Sequence, residues 1–317
     1  MKLSVTLMGS PGTLAATAQR FERIGVDALW TGDYFQSGVV RAAVIASATE
    51  RVTVGTHVLQ AFARSPLAAA LAAQELQVLS GGRFVLGLGS QVPKANLRWH
   101  GADIQKPIAA LDDYVSGVRA LLTTPGDRRC AHHGPYFEFD VPPYRGETPA
   151  APAVWIGGAG PATTDLAARI ADGLAGHLLW GHDHAGAVAR SLPIPVTVAR
   201  MAAPHTMPGW RDELAGRLAH YLVTPAYQRL LSRQGIAIDR DALLSAVRNG
   251  DRRAVRAAVE PLLDRYCVSD LDGLRRQLAD AAAAGVDGVV FFVPAQGTNA
   301  EPYEAELAEL ISEITSR

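Results

Sequence analysis

Short runs of β-branched and aliphatic residues alternate along this chain with longer Ala- and Leu-rich stretches of helical period, the pattern of repeated βα units around a parallel sheet. The first run, Lys2 to Leu7, is followed by a helix from about Thr13 to Ile24 that ends at Gly25. Asp27 to Thr31 reads as the second strand, with a short helix over Val39 to Thr49. Val52 to Val58 is the third strand; Pro66 opens the next helix, which runs to Leu79 and stops at Gly81-Gly82. Arg83 to Leu88 and the helix Ile104 to Leu122 make the fourth unit. The pattern lapses between Thr124 and Pro152 into Pro, Gly and aromatic residues, with Tyr136 to Val141 as a strand of an excursion. It resumes with Val154 to Ile156, the helix Ala162 to Ala171, and strands Leu174 to Leu179 and Ile194 to Met201. A helical stretch from Trp210 to Leu263 precedes a helix at Leu271 to Ala284, a last strand Gly288 to Val293 and a closing helix Tyr303 to Ile314.

Eight strands in regular units predict an α/β chain of the (β/α)8 TIM-barrel type rather than a doubly wound sheet. With no break in composition, residues 1–317 read as a single domain with an insertion at about 124–152 and a helical excursion at about 208–264. The 317 residues are 48% hydrophobic and 19% charged, enough apolar material for one large core. Thirty basic and 31 acidic residues, net charge −1, lie scattered without runs, so no field is present to hold a nucleic acid. No apolar stretch is long enough for a signal peptide or a membrane span, and the expectation is a soluble, cytoplasmic protein. Cys130 and Cys267 match no metal spacing and no disulfide framework.

In such barrels the chemistry sits in the loops after the strands, and here those loops are poor in paired acids and bases. No nucleophile elbow, P-loop or zinc-protease motif occurs, so a cofactor that brings the reactive atom is the simpler explanation. The most legible element is Gly157-Gly158-Ala159-Gly160-Pro161, which is either a phosphate cradle at a helix N-terminus or a tight βα turn. Gly87-Leu88-Gly89 lacks the third glycine of a dinucleotide fingerprint. Asp33 lies just past a strand end and is a candidate to accept from a ring N–H or carry a proton, or a turn former. Tyr34 beside it is a candidate proton donor, or a rim aromatic. Arg64 and His177 are substrate-cleft candidates, against readings as a salt-bridge anchor and a structural histidine. His182-Asp183-His184 and His132-His133 lack a third ligand and read as surface features, so no metal is expected.

Several segments together resemble the luciferase-like flavin and deazaflavin oxidoreductases. The run Ala18 to Trp30 leading into Asp33-Tyr34-Phe35 is similar to that family's first helix and second strand, and Thr49 to Pro66 to its third strand. Leu79-Ser80-Gly81-Gly82-Arg83-Phe84-Val85-Leu86-Gly87-Leu88-Gly89-Ser90-Gln91-Val92 is the most specific match. Val154 to Gly158, Ala171-Asp172-Gly173 and Thr224-Pro225-Ala226-Tyr227 extend it over most of the chain. The Phe62 to Pro66 and Gly89 to Val92 variants look like an actinobacterial branch described as dependent on coenzyme F420. The resemblance implies a deazaflavin held by Asp33, His57, Val58, Gly89, Ser90 and Gln91, with its phosphate near Gly157, Gly158, Ala159 and Gly160, and a non-proline cis peptide at His57-Val58. Relatives often carry histidine where this chain has Tyr34, so a histidine acid/base is not carried over. Relatives are often homodimers; nothing in the residues themselves speaks to that.

The resulting expectation is a hydride transfer between reduced F420 and an electron-poor C=C or C=N bond of a small molecule or modified peptide, with Asp33 and Tyr34 as catalytic groups. One alternative keeps the family and changes the cofactor to FMN, giving a monooxygenase. Another is a flavin-binding barrel without catalysis.

Overall fold

The computed structural model describes residues 1–33, 36–143 and 150–316. In chain order its strands are β1 (Lys2–Thr6), β2 (Ala28–Thr31), β3 (Thr53–Thr56), β4 (Leu59–Gln60), β5 (Phe84–Gly89), β6 (Cys130–His133), β7 (Glu138–Val141), β8 (Ala153–Gly158), β9 (Gly173–Gly176), β10 (Val196–Ala202), β11 (Cys267–Val268) and β12 (Gly288–Phe292). Between them run α1 (Leu14–Arg23), α2 (Gly38–Ala48), α3 (Pro66–Leu79), α4 (Pro93–His100), α5 (Pro107–Thr123), α6 (Pro161–Ile170), α7 (His182–Ser191), α8 (Trp210–Leu222), α9 (Pro225–Arg233), α10 (Arg240–Arg248), α11 (Arg252–Tyr266), α12 (Leu271–Ala284) and α13 (Glu301–Thr315). No helix among the described residues is long and apolar enough to cross a membrane.

Two compact units can be drawn, Ala28–Ala175 and the combination of Met1–Asp27 with Gly176–Arg317. Within the first, parallel strands run in the order β2-β3-β5-β8-β9, with the two-residue β4 alongside β5. Within the second the order is β11-β10-β12-β1, again parallel, with both Thr197 and Lys2 opposite Gly288. Every residue of β2 and β10 is buried, as expected for parallel strands covered on both faces.

The strand starts share a polar device. Asp27, Asp172 and Asp287 each precede a strand, and each exchanges two hydrogen bonds with the first residues of another. Their carboxylates accept from the Leu3, Val154 and Val196 amides at 2.7, 2.8 and 2.8 Å. Their own amides donate to the carbonyls of the same three residues. A side chain thus supplies the acceptor that the end of a parallel ladder lacks.

Three expectations are revised. The excursion is a hairpin, β6 against β7, and its first strand hides in Cys130–His133, where no apolar alternation marks it. Asp113 of α5 pins it, accepting from His132 Nε2 and the Tyr136 and Phe137 amides at 2.8 Å each, so His132 is a structural partner and not a loose surface group. The strand read as Leu174 to Leu179 stops at Gly176, because the Trp180 amide donates to the His177 carbonyl and turns the chain. His182, expected at the surface, packs half-buried against the fully buried Arg200, and both share Gln277, whose Oε1 accepts from His182 Nε2 at 2.8 Å and from Arg200 Nε at 2.6 Å.

Candidate active site

The strand ends of the unit Ala28–Ala175 carry most of the residues singled out from sequence. Gln60, Gly89 and Gly157 stand in one row across β4, β5 and β8, since Gln60 pairs with Gly89 and Gly89 with Gly157. The His57-Val58 peptide is cis, as the resemblance implies, and the Val58 side chain lies over that row. A Cβ at Gly89 would stand 2.6 Å from Val58 Cγ2, and one at Gly157 2.8 Å from Val58 Cγ1. Glycine is therefore required at both positions for Val58 to seat over the strand ends.

Asp33 sits beside this platform, its amide donating to the Val58 carbonyl at 3.3 Å. Its carboxylate is saturated by donors. Oδ1 accepts from the Gly38 amide at the start of α2 (3.0 Å), and Oδ2 from the Gln60 amide (3.0 Å) and from Arg64 Nη2 (2.9 Å). The Asp33 and Arg64 side chains are only 10% and 19% exposed, so the pair is shielded from water. Gln60 extends the chain of contacts: its Nε2 donates to the Asp33 carbonyl (2.8 Å), which leaves Oε1 to accept from His100 Nε2 at 2.7 Å. Sequence reasoning missed Gln60 and His100 as partners; a lone glutamine at the end of an apolar strand was the available sign.

The loop after β5 carries Ser90 and Gln91. Gln91 has φ of +52°, in the left-handed region that non-glycine residues seldom adopt, and its side chain accepts from the Val92 amide (2.9 Å). Asn96 of α4 holds the loop, donating from Nδ2 to the Ser90 carbonyl at 2.9 Å. Asn96 is fully buried, and its Oδ1 finds no hydrogen-bond partner among the described residues. An unmet buried acceptor costs about 1–3 kcal/mol, which marks the spot as one where a ligand N–H would be favoured.

From Gly158, the last residue of β8, Ala159 leads to Gly160 at the N-cap of α6, with Pro161 in its first turn. The Gly160 amide makes only a long 3.4 Å bond to Thr163 Oγ1, and all four residues Gly157 to Gly160 are partly open to solvent. A Cβ on Gly158 would strike Thr163, 2.6 Å from its Cβ. The turn is tight and open-faced, with backbone N–H groups at a helix start.

His57 lies edge-on to Trp30, ring centroids 5.7 Å apart, and burial holds its pKa down at about 4, so it is neutral near pH 7. Tyr34 lies outside the described residues. His177 belongs to the other unit, just past β9, and its Nδ1 accepts from the Leu179 amide at 3.1 Å. Among the described residues no group of three His, Cys, Asp or Glu side chains is placed to hold a metal ion.

The family described as luciferase-like monooxygenase matches residues 3–288. A Mycobacterium tuberculosis protein that carries the proposed name coenzyme F420-dependent oxidoreductase is 30% identical over 262 residues, covering 77% of this chain and 65% of that protein's length. Two solved structures align along the whole chain. The coenzyme F420-dependent tetrahydromethanopterin reductase of Methanopyrus kandleri has a TM-score of 0.81 at 18% identity, covering 98% of this chain and 97% of its own. An F420-dependent secondary alcohol dehydrogenase, solved with an F420-acetone adduct, has a TM-score of 0.72 at 14% identity, covering 100% and 99%. At such identities the likeness shows the fold, an α/β (β/α)8 barrel of the TIM type. With nine-tenths of its length matched by one family, the chain belongs to the luciferase-like monooxygenase family.

Proposed function

We propose that the protein is a coenzyme F420-dependent oxidoreductase acting on an electron-poor C=C or C=N bond of a small molecule or modified peptide. The observation that carries this reading is the Val58 platform: three strand ends, stripped to glycine at Gly89 and Gly157, give a planar ring a flat apolar face. Two further features fit such a cofactor. Asn96 Oδ1 is a buried acceptor for a ring N–H, and Gly158, Ala159 and Gly160 offer backbone donors to a phosphate. The names of the relative and of the two solved structures favour F420 over FMN.

When bound in its reduced form, the deazaflavin supplies a hydride. The chain's residues bind and orient. Asp33, with both oxygens engaged, is a positioning residue: it fixes Arg64, whose remaining N–H groups hold an oxygen of the substrate. Tyr34, next to Asp33 in sequence, is the proposed proton donor. Ser90 and Gln91, in the loop that Asn96 secures, would help to hold the cofactor.

The test is a titration with F420 and with FMN, following quenching of each cofactor's fluorescence. Micromolar F420 binding with little response to FMN is expected. Preference for FMN would move the enzyme to oxygen chemistry, and binding of neither would leave a barrel without a redox role. Gly158→Val is expected to weaken F420 at least about tenfold and to lower the melting temperature, because the side chain forces Thr163 and the start of α6 to shift and fills the turn, so affinity is read below the variant's own melting transition. Unaltered affinity in that variant would remove the phosphate from this turn.

A further inference from the structure

Between α3, the end of α5 and the hairpin β6–β7, all within the unit Ala28–Ala175, lies a cavity of about 220 Å³ that the candidate site does not use. Its wall comes from Leu67, Ala70 and Leu71 of α3, Leu121 of α5, and Val141 and Pro142 at the end of β7. Leu67, Ala70, Leu71 and Gln74 follow the spacing i, i+3, i+4, i+7, so one stripe of α3 faces the space. Ala70 is the gap in that stripe. It is buried, and its single methyl leaves the room between the leucines unfilled. The opposite wall is held in place. Thr124 Oγ1 donates to the Ala120 carbonyl at 2.6 Å where α5 ends, and the Arg128 amide donates to the Pro125 carbonyl at 2.9 Å, turning the chain back into β6. Cys130, buried, then stands opposite Val141 in the ladder, and both line the cavity.

Water gains little in such a space. A buried water needs two to four polar partners, whereas this wall is almost wholly apolar; a closed aliphatic cavity of about 150 Å³ stays dry and takes a hydrocarbon. At about 30 Å³ for each non-hydrogen atom, the share of a molecule in liquid water, the space holds about seven such atoms. The mouth adds a charge. Leu71, 47% exposed, forms the lip, and the exposed Arg128 is among the lining residues. Its neighbour Arg129 is paired with Asp140 at 2.6 Å, whereas the Arg128 guanidinium makes no hydrogen bond or ion pair with any described residue. An apolar slot that opens beside an unmatched cation is complementary to an alkyl chain ending in an anion.

We propose that this cavity binds an unbranched alkyl carboxylate of about eight carbons, its tail between α3 and the hairpin and its carboxylate at Arg128. None of the lining residues belongs to the Val58 platform or to the turn before α6, so the site stands whether or not the protein uses F420.

Calorimetric titration with butyrate, hexanoate, octanoate and decanoate, and with 1-octanol as the uncharged control, tests this. Affinity is expected to rise about fourfold for each added methylene up to octanoate, the worth of one buried CH2, and to level off at decanoate, whose last carbons find no room. Arg128→Gln should weaken octanoate about two- to fivefold, the range of an exposed ion pair, and leave octanol unchanged. Ala70→Leu fills the gap in the stripe and should abolish measurable octanoate binding. Leu71→Glu, on the exposed lip, should weaken it at least about tenfold, and keeps the test alive if the larger core side chain at position 70 impairs folding. Octanoate binding that these two variants leave unchanged while melting normally would overturn the proposal, as would butyrate binding as tightly as octanoate. No octanoate binding by the wild type would overturn it too, and a dimer that Leu71→Glu dissociates would in that case identify the occupant as a second copy of this chain.

Discussion

Replacing Asp33 by alanine is expected to lower the unfolding free energy by about 3 kcal/mol and to weaken F420 binding about tenfold. The carboxylate serves donors only: two backbone amides and the Arg64 guanidinium. Removing it strands Arg64 in a shielded position and leaves the Gly38 and Gln60 amides without acceptors. Breaking a buried pair by deleting one partner costs about 3–5 kcal/mol, and the partial exposure of Arg64 places this case at the lower end. Asp33→Asn keeps the shape but offers one acceptor oxygen and turns an NH2 toward donors, so it should cost about 2 kcal/mol. Arg64→Ala leaves the carboxylate two amide partners and should cost less than Asp33→Ala. A double-mutant cycle on urea unfolding checks the latch directly: the coupling between positions 33 and 64 should be about 1–2 kcal/mol. A coupling near zero would mean that the pair contributes nothing to the fold, and Asp33 would return to being a candidate proton carrier.

The helices with a long apolar period were legible from sequence to the residue, as at Pro66–Leu79 and Leu271–Ala284, because the buried face, the cap and the stop all agree there. α4 was not legible. It buries only Ala95 and Asn96 among its eight residues, so no periodicity reveals it, although it supplies the asparagine that holds the Ser90 loop. The third strand was read as one run to Val58, whereas pairing ends at Thr56 and restarts at Leu59 after the cis bond. The site shows the same division. Strand-end positions such as Gly89 and Gly157, and Asp33 just past one, follow from strand ends, which sequence marks. Partnerships do not: Asp33 meets Arg64 across 31 residues, His100 meets Gln60 across 40, and His177 meets tyrosines from the helical excursion. Such pairings are set by which strand ends are neighbours, a property of the folded sheet rather than of any local pattern.

Acidification should destabilise the protein between pH 6.5 and about 4, by up to about 3 kcal/mol from His57 alone. The free imidazole of an unfolded chain takes a proton near pH 6.5, whereas in the folded state burial holds His57 down at about 4. Between these values the unfolded state binds more protons than the folded one, so stability rises with pH and is lost as pH falls. The stabilisation is fully present above 6.5. The loss is complete at about pH 4, below which both states are protonated, and 2.5 units at about 1.4 kcal/mol each gives the magnitude. His182 works in the same direction, lowered first by burial and then by the positive charge of Arg200, as does His184, lowered by burial and Arg233. Urea unfolding across this range measures the slope, and His57→Gln isolates the residue, since it keeps a polar side chain without the ionisation. The variant's absolute stability is irrelevant to the comparison; its slope should be shallower than that of the wild type by up to one proton. Equal slopes would mean that the folded protein protonates His57 at an ordinary pH, which would require the ring beside Trp30 to be reached by water or by an acceptor that burial has not removed.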